Sequence, residues 1–324
     1  MPPPLEMQII EHSQLAPRQF ERSVVTVGNF DGVHLGHQAL LRRVVQRARE
    51  RDAVSVVYTF HPHPLRVLNP AFCPPLLTAF EDRAARIASQ GVDALVWARF
   101  DREYAGQEPE EFARRTLAGS LGAVEVWVGP DFAFGRGRRG SVEFLRRAGR
   151  ELGFALEVLP AFGLDGEAVS STRIRQAVAE ADFEAAQRLL GRPYALHGPV
   201  VRGAGRGRGL GFPTANVLVR EECLPPPGVY AAWACWGEIC RPAALNIGPN
   251  PTFGAAETTV EAYLLDFGGD LYGTELELRP LAALRREIAF RTPADLVRQI
   301  AADVEETRRL LGLQPDHASE GGGS

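Results

Sequence analysis

The sequence predicts two domains: an α/β domain built on a parallel sheet, then a small antiparallel β-barrel that carries a C-terminal helix. Three observations predict this. From Ser23 to about Val158, short β-branched runs alternate with amphipathic helical stretches, the pattern of a parallel sheet covered by helices. From Tyr194 onward the pattern changes to alternating strands broken by Gly/Pro turns, which suggests a small barrel. The length, 324 residues, is long for one core and comfortable for two.

In the first domain the strand candidates are Val24–Val27, Val54–Thr59, Ala94–Trp97, Val124–Val128 and Ala155–Val158. Between them fall the helix candidates Gln38–Arg51, Glu81–Gln90, Pro109–Leu121 and Val142–Leu152. In the first of these, Leu40, Leu41, Val44, Val45 and Ala48 form one apolar stripe, with arginines on the other face. This half therefore reads as Rossmann-like. Ser171–Glu180 and Asp182–Leu190 read as two further helices, stopped by Gly191-Arg192-Pro193. The boundary is placed there, giving domains 1–191 and 192–313, with 314–324 as a flexible tail. In the second domain Val229–Trp236 and Thr258–Asp266 are strand candidates. Thr292-Pro293-Ala294-Asp295 offers an N-cap, a proline at the first helical position and an acid at the third. The helix it opens places Leu296, Ile300, Val304 and Leu311 on one side.

A net charge of -4 and a pI near 6.0 give no global basic field, so a duplex nucleic-acid partner is disfavoured while small anionic substrates are not. Two Arg/Gly loops lack the interleaved aromatics of a single-strand binder. Cys73, Cys223, Cys235 and Cys240 fit neither a zinc ribbon nor a disulfide framework, and reduced thiols are expected. The N-terminus lacks the basic segment and apolar run of a signal peptide, and no stretch approaches the roughly 20 apolar residues of a membrane span. The expectation is a cytoplasmic protein without a membrane partner, with homo-oligomerisation left open.

The densest segment, Val24 to His37, is a strand running into a helix N-terminus. His34 and His37 are three residues apart on the first helical turn, and Gly36 leaves no side chain between them. Free N–H groups and the helix dipole add positive potential at the same place, which suits a triphosphate. A bare H-x-x-H is more often a cap or a surface feature. The decapeptide Gly28-Asn29-Phe30-Asp31-Gly32-Val33-His34-Leu35-Gly36-His37, however, resembles the signature of the flavin adenylyltransferase branch of the HxGH nucleotidyltransferase superfamily. Phe60-His61-Pro62-His63-Pro64 is similar to that family's F-x-P-H-P loop, and Gly129-Pro130-Asp131-Phe132-Ala133-Phe134-Gly135 with Arg138 and Gly140 to its G-x-D-F-x-F-G segment. Val169 to Arg175 is similar to the S-S-T-x-I-R motif that closes the site. The resemblance implies His34, His37 and Arg175 as catalytic, Gly28, Phe30, Asp31, Gly36, Ser171 and Thr172 as nucleotide-binding, and His63 and Asp131 as flavin-binding.

The second dense segment runs from Gly203 to Asn216. It is not a Walker A loop, because no Gly-Lys-Ser/Thr follows the glycines. Its glycines let backbone N–H groups approach a polyphosphate, and the Thr214 hydroxyl and Asn216 carbonyl are hard ligands suited to Mg²⁺. Gly211-Phe212-Pro213-Thr214-Ala215-Asn216 resembles the G-F-P-T-A-N motif of riboflavin kinases, and Asn246 to Phe253 and Val260 to Phe267 are similar to later segments of that family. The resemblance implies Gly205, Gly211 and Pro213 as nucleotide-binding, Arg285 as flavin-binding, and Glu261 as the base, a carboxylate otherwise costly among apolar strand neighbours. One departure is Leu284-Arg285-Arg286-Glu287, where the family has proline at the position of Arg286, so a less rigid loop is expected. The resemblance runs from about residue 22 to residue 311 and implies an enzyme that makes FMN from riboflavin and FAD from FMN, using ATP with Mg²⁺.

Overall fold

The computed structural model describes residues 6–203, 209, 211–219, 223–249 and 258–313. They form two compact units, dividing at Ser171/Thr172, some way before the break expected at Gly191.

The first unit is a six-stranded, wholly parallel sheet of β1 (Gln8–Glu11), β2 (Ser23–Val27), β3 (Val54–His61), β4 (Ala94–Arg99), β5 (Ala123–Val128) and β8 (Ala155–Val158), in the order β1-β4-β3-β2-β5-β8. Between β5 and β8 lies a two-residue ribbon, β6 (Ala133–Phe134) with β7 (Gly140–Ser141), and after β8 a second, β9 (Gly163–Leu164) with β10 (Glu167–Ala168). The helices are α1 (Leu35–Glu50), α2 (Pro64–Leu68), α3 (Phe80–Ala88), α4 (Arg102–Ala105), α5 (Pro109–Glu111, continued as a π-helix to Ser120) and α6 (Val142–Leu152).

Alternation along each strand splits the core into two layers. Val25, Val27, Val56, Tyr58, Val96 and Val126 pack on one face, while Val24, Val57, Leu95 and Trp127 meet the apolar stripe of α1 on the other. Burying both faces explains why these strands read as continuous β-branched runs. The chain moves outward from β2 through β3 to β4, then returns to lay β5 on the opposite side of β2. That reversal makes the β2/β5 edge the switch point, where open α/β sheets bind ligands beyond their carboxyl ends.

In the second unit α7 (Ser171–Ala179) and α8 (Phe183–Leu190) lead into the barrel. Asp182 caps α8 by accepting from Ala185 N, and Gly191 ends it at φ +72°. The barrel is closed and antiparallel, in the order β11 (Leu196–Val201), β12 (Ala215–Val217), β15 (Thr258–Leu264), β14 (Ile239–Pro249), β13 (Gly228–Trp236), β16 (Glu275–Arg286). On β15, Val260, Ala262 and Leu264 are buried while Glu261 and Tyr263 are only half-buried, so the wall alternates as a small filled barrel requires. Helix α9 (Pro293–Leu310) packs on β13, β14 and β16 and is capped as expected, with Thr292 Oγ1 accepting from Asp295 N at 3.1 Å.

Two expectations are corrected. Cys235 and Cys240 are not free thiols but a disulfide across directly opposed residues of β13 and β14. A framework search by spacing misses such a pair, because the two-residue hairpin turn alone brings its Cα atoms to 4.1 Å. Strand β1 was not anticipated, since an exposed edge strand carries little of the apolar run that marks a buried one.

Candidate active sites

The N-terminal site grows from the loop between β2 and α1. Three residues with positive φ shape it, Phe30, Gly32 and Val33 (52°, 82° and 39°), and the extended His34 then becomes the N-cap of α1. Left-handed backbone at Phe30 and at β-branched Val33 is costly and persists only where the surroundings impose it. They do so through side chains. Buried Asp31 accepts from Leu77 N at 3.0 Å and from Thr78 N at 3.3 Å, and Gly32 N donates to Thr78 Oγ1 at 3.1 Å.

The two imidazoles stack, with ring centroids 3.6 Å apart and planes 15° from parallel. His34 Nδ1 accepts from His37 N at 3.3 Å, which leaves Nε2 as the nitrogen able to donate. Gly36 permits the stack, because a Cβ there would come within 3.2 Å of the His34 ring and 3.5 Å of Phe162. Phe30 meets His37 edge-on at 5.2 Å. Burial, then electrostatic coupling to His34 and to the Arg83 guanidinium, hold the His37 pKa well below the ordinary 6.5. Its Nδ1 is buried beside a helix N-terminus and has no hydrogen-bond partner among the described residues.

Around this pair the structure gathers His63, whose Nδ1 accepts from Leu65 N at 3.2 Å and whose Nε2 lies 3.2 Å from the Asn29 side-chain amide. Ser171 closes the loop from the other side, donating to Asp31 O at 2.9 Å. Gly28 follows β2 directly, and a Cβ there would press on the Phe30 ring at 3.3 Å. Asp131 is exposed just beyond β5, at the β2/β5 switch point. On α7, Thr172 is exposed and Arg175 is half-buried one turn on. Two predicted side chains turn to structural partners: the Asp31 carboxylate to loop amides and the Ser171 hydroxyl proton to a carbonyl. Arg83 and Thr78 were missed, since each sits in a stretch whose pattern spells only helix or loop.

The C-terminal site lies on the outward side of the barrel wall. Asn216 on β12, Glu261 on β15 and Asn246 on β14 are opposed in register, a polar row across three adjacent strands. Thr214, two residues before Asn216 and therefore on the same side, donates to Glu261 Oε2 at 3.3 Å. Gly203 faces the row: a Cβ there would occupy the space of the Asn216 amide. Gly211 takes φ +86°, Pro213 is exposed, and Phe212 meets Tyr263 edge-on at 5.3 Å. Gly205 lies outside the described residues, as do residues 250–257.

Arg285 has a partner on the C-terminal helix. Its guanidinium chelates buried Asp303 of α9, with Nε at 3.0 Å and Nη2 at 2.8 Å, and lies over the Phe290 ring at 5.6 Å. At the departure, Arg286 still belongs to β16, opposite Gly228. Among the described residues no group of three or more His, Cys, Asp or Glu could hold a metal. Among them, too, no helix is long and apolar enough to cross a membrane.

Comparison with known proteins gives the same division. Residues 16–173 match the FAD synthetase family and residues 190–311 the riboflavin kinase family. The bifunctional riboflavin kinase/FMN adenylyltransferase of Pseudomonas fluorescens is 39% identical over 305 residues, 94% of this chain and 98% of its own length. The Escherichia coli K12 protein of the same description is 38% identical over 294 residues, 90% of this chain and 94% of its own. Among solved structures, a Streptococcus pneumoniae protein described as a macrolide-efflux protein matches with a TM-score of 0.79 at 30% identity, covering 93% of this chain and 99% of that one.

Proposed function

This chain belongs to the family of bifunctional riboflavin kinase/FMN adenylyltransferases, and from that premise we propose which residues carry each reaction. It phosphorylates riboflavin to FMN with ATP, and it adenylylates FMN with a second ATP to give FAD and pyrophosphate.

The observation that carries the assignment of the second step is the stacked imidazole pair over a helix N-terminus. A phosphate oxygen of FMN, already anionic, attacks the α-phosphorus of ATP while the bond to the pyrophosphate oxygen breaks. No side chain has to take a proton. What the site must supply is position and compensation for the charge on the phosphorus oxygens. His34 Nε2–H, a neutral His37 and the first N–H groups of α1 are donors fixed before substrate arrives. With the Ser171 proton given to Asp31 O, support of the leaving pyrophosphate falls to Thr172 and Arg175. Because that motif serves the first domain's chemistry, we place the functional boundary after α8, at Gly191.

In the kinase step the ribityl 5′-hydroxyl is neutral and has to lose a proton as it attacks the γ-phosphorus and ADP leaves. Glu261 is assigned as the base that takes it. Thr214 and Asn216 beside it present a hydroxyl and an amide oxygen, hard donors that fit Mg²⁺ together with the nucleotide's phosphates. Bound there, the ion would offset phosphate charge. Incubating the purified chain with riboflavin, ATP and Mg²⁺ and separating the flavins should show both FMN and FAD, and chelation should stop both steps. FAD formed from FMN without FMN formed from riboflavin would remove the kinase assignment.

A further inference from the structure

The most deeply buried cation of the first unit has no place in the chemistry above. Arg83 on α3 is 2% exposed, and its guanidinium joins two separate segments. Nη1 donates to Asn29 O at 3.0 Å and Nη2 to Phe60 O at 3.1 Å. Asn29 lies two residues past the end of β2 and Phe60 is the penultimate residue of β3, so the two acceptors sit at the carboxyl ends of neighbouring parallel strands.

Burying a guanidinium is expensive, and backbone carbonyls alone are a modest return. The geometry shows what this position gains. Asn29 O belongs to the peptide that enters Phe30, the residue at φ +52°, and Phe30 in turn lays its ring edge on His37. The Asn29 side chain reaches His63, and Phe60 O lies just before the segment that carries His63. One side chain thus fixes both segments that bring imidazoles to the site.

We propose that Arg83 is a positioning residue for adenylyl transfer, clamping Asn29 O and Phe60 O so that Phe30 holds His37 over the helix N-terminus, with its own positive charge fixed behind the phosphate-binding loop. The inference rests on FMN being adenylylated at His34 and His37. The charge has a second consequence, because it adds to burial and to His34 in keeping the His37 ring neutral. The other charges near this assembly are Asp31 and Glu81, which stabilise the Arg83 cation against its burial. Asp31 is itself held by the amides of Leu77 and Thr78. A neutral ring keeps one nitrogen able to donate without adding a mobile charge that substrate binding would have to reorganise.

The test compares Arg83→Met and Arg83→Lys in the full chain, using FMN to FAD rates, riboflavin to FMN rates, and an NMR titration of the His37 ring identified by its loss in His37→Ala. Arg83→Met should lower kcat for FAD formation roughly 10- to 100-fold, the scale of a small misplacement of a catalytic group, and raise the pH midpoint of His37. The kinase rate should stay within about twofold, since it uses none of these segments. Arg83→Lys keeps the charge but not the two-pronged reach, so it should recover part of the rate and leave the His37 midpoint where it is. Full FAD-forming activity in Arg83→Met, or an unmoved His37 midpoint in that variant, overturns the proposal. If Arg83→Met does not fold, a wild-type kcat in Arg83→Lys overturns it equally. Retention of FAD formation in His37→Ala would instead overturn the site assignment beneath it.

Discussion

The two active sites solve phosphate chemistry on opposite kinds of scaffold. The proposed adenylyltransferase site hangs beyond the end of a parallel sheet buried on both faces, and its proposed groups, two stacked imidazoles and a helix N-terminus, come from one continuous loop and turn. The proposed kinase site lies on the outward side of an antiparallel barrel, and its row of Asn216, Glu261 and Asn246 is collected from three separate strands. The difference follows from the nucleophile. FMN arrives ionised, so the first site needs donors and no base. Riboflavin arrives as an alcohol, so the second needs a carboxylate that water can reach, which a half-buried outward face supplies.

Removing the central group of each site and reading both reactions gives the largest expected effects. Glu261→Gln nearly preserves volume and the contact from Thr214 but accepts no proton, so riboflavin phosphorylation should fall by roughly 10²–10⁴. FMN adenylylation should stay near wild type. In His37→Ala the pattern should invert, with FAD formation slowed by about 10²–10³ and the kinase spared. If both activities fell together in either variant while it remained folded, the two sites would not be independent. An unchanged kinase rate in Glu261→Gln would make Glu261 a structural strand residue.

The scaffolds also differ in how legible they were. The two helix N-caps at Asp182 and Thr292, the stop at Gly191 and the helix Val142–Leu152 are local events, set by side chains a few residues from the backbone they satisfy. The imidazole stack was legible for the same reason, being confined to one helical turn. The motif around Asn246 does not reveal a role for it, because its place beside Glu261 is a matter of strand register, which sequence periodicity leaves open. Arg83 was invisible altogether. Its partners are backbone carbonyls, and a carbonyl leaves no signature in the sequence.

Arg285 bears on the stability of the second unit. The family resemblance gives it to the flavin, whereas its guanidinium is chelated by Asp303 and ties α9 to β16. Removing one member of such a pair strands the other. Arg285→Met should therefore cost about 2–3 kcal/mol, somewhat below the ~3–5 kcal/mol of a fully buried pair because Arg285 retains some exposure. Chemical denaturation should show the loss in the barrel transition, with KM for riboflavin little altered. A large rise in KM with no loss of stability would return Arg285 to the flavin.

The smallest effect expected is on pH dependence, and it belongs to the first unit alone. His37 is held neutral by burial first and by neighbouring positive charge second, so its folded pKa lies well below the 6.5 of an unrestrained histidine. As pH falls through that ordinary value, the unfolded chain takes up a proton that the folded chain refuses. Stability contributed by the neutral ring is therefore complete at pH values above the unfolded pKa and is lost progressively on acidification, down to the folded pKa. Catalysis should behave differently from stability in the same window. The ring stays neutral there, so FAD formation should show no step belonging to His37 near 6.5. The phosphate of FMN complicates the kinetic curve, since a phosphate monoester dianion takes up one proton near about pH 6 and becomes a poorer nucleophile. A ring-resolved NMR titration separates the two contributions, because only the protein's resonance reports the imidazole. If His37 titrated at the ordinary histidine value in the folded chain, the desolvated, donor-only picture of this site would fail, and the imidazole would have to be treated as a cation at the pH where the reaction begins to slow.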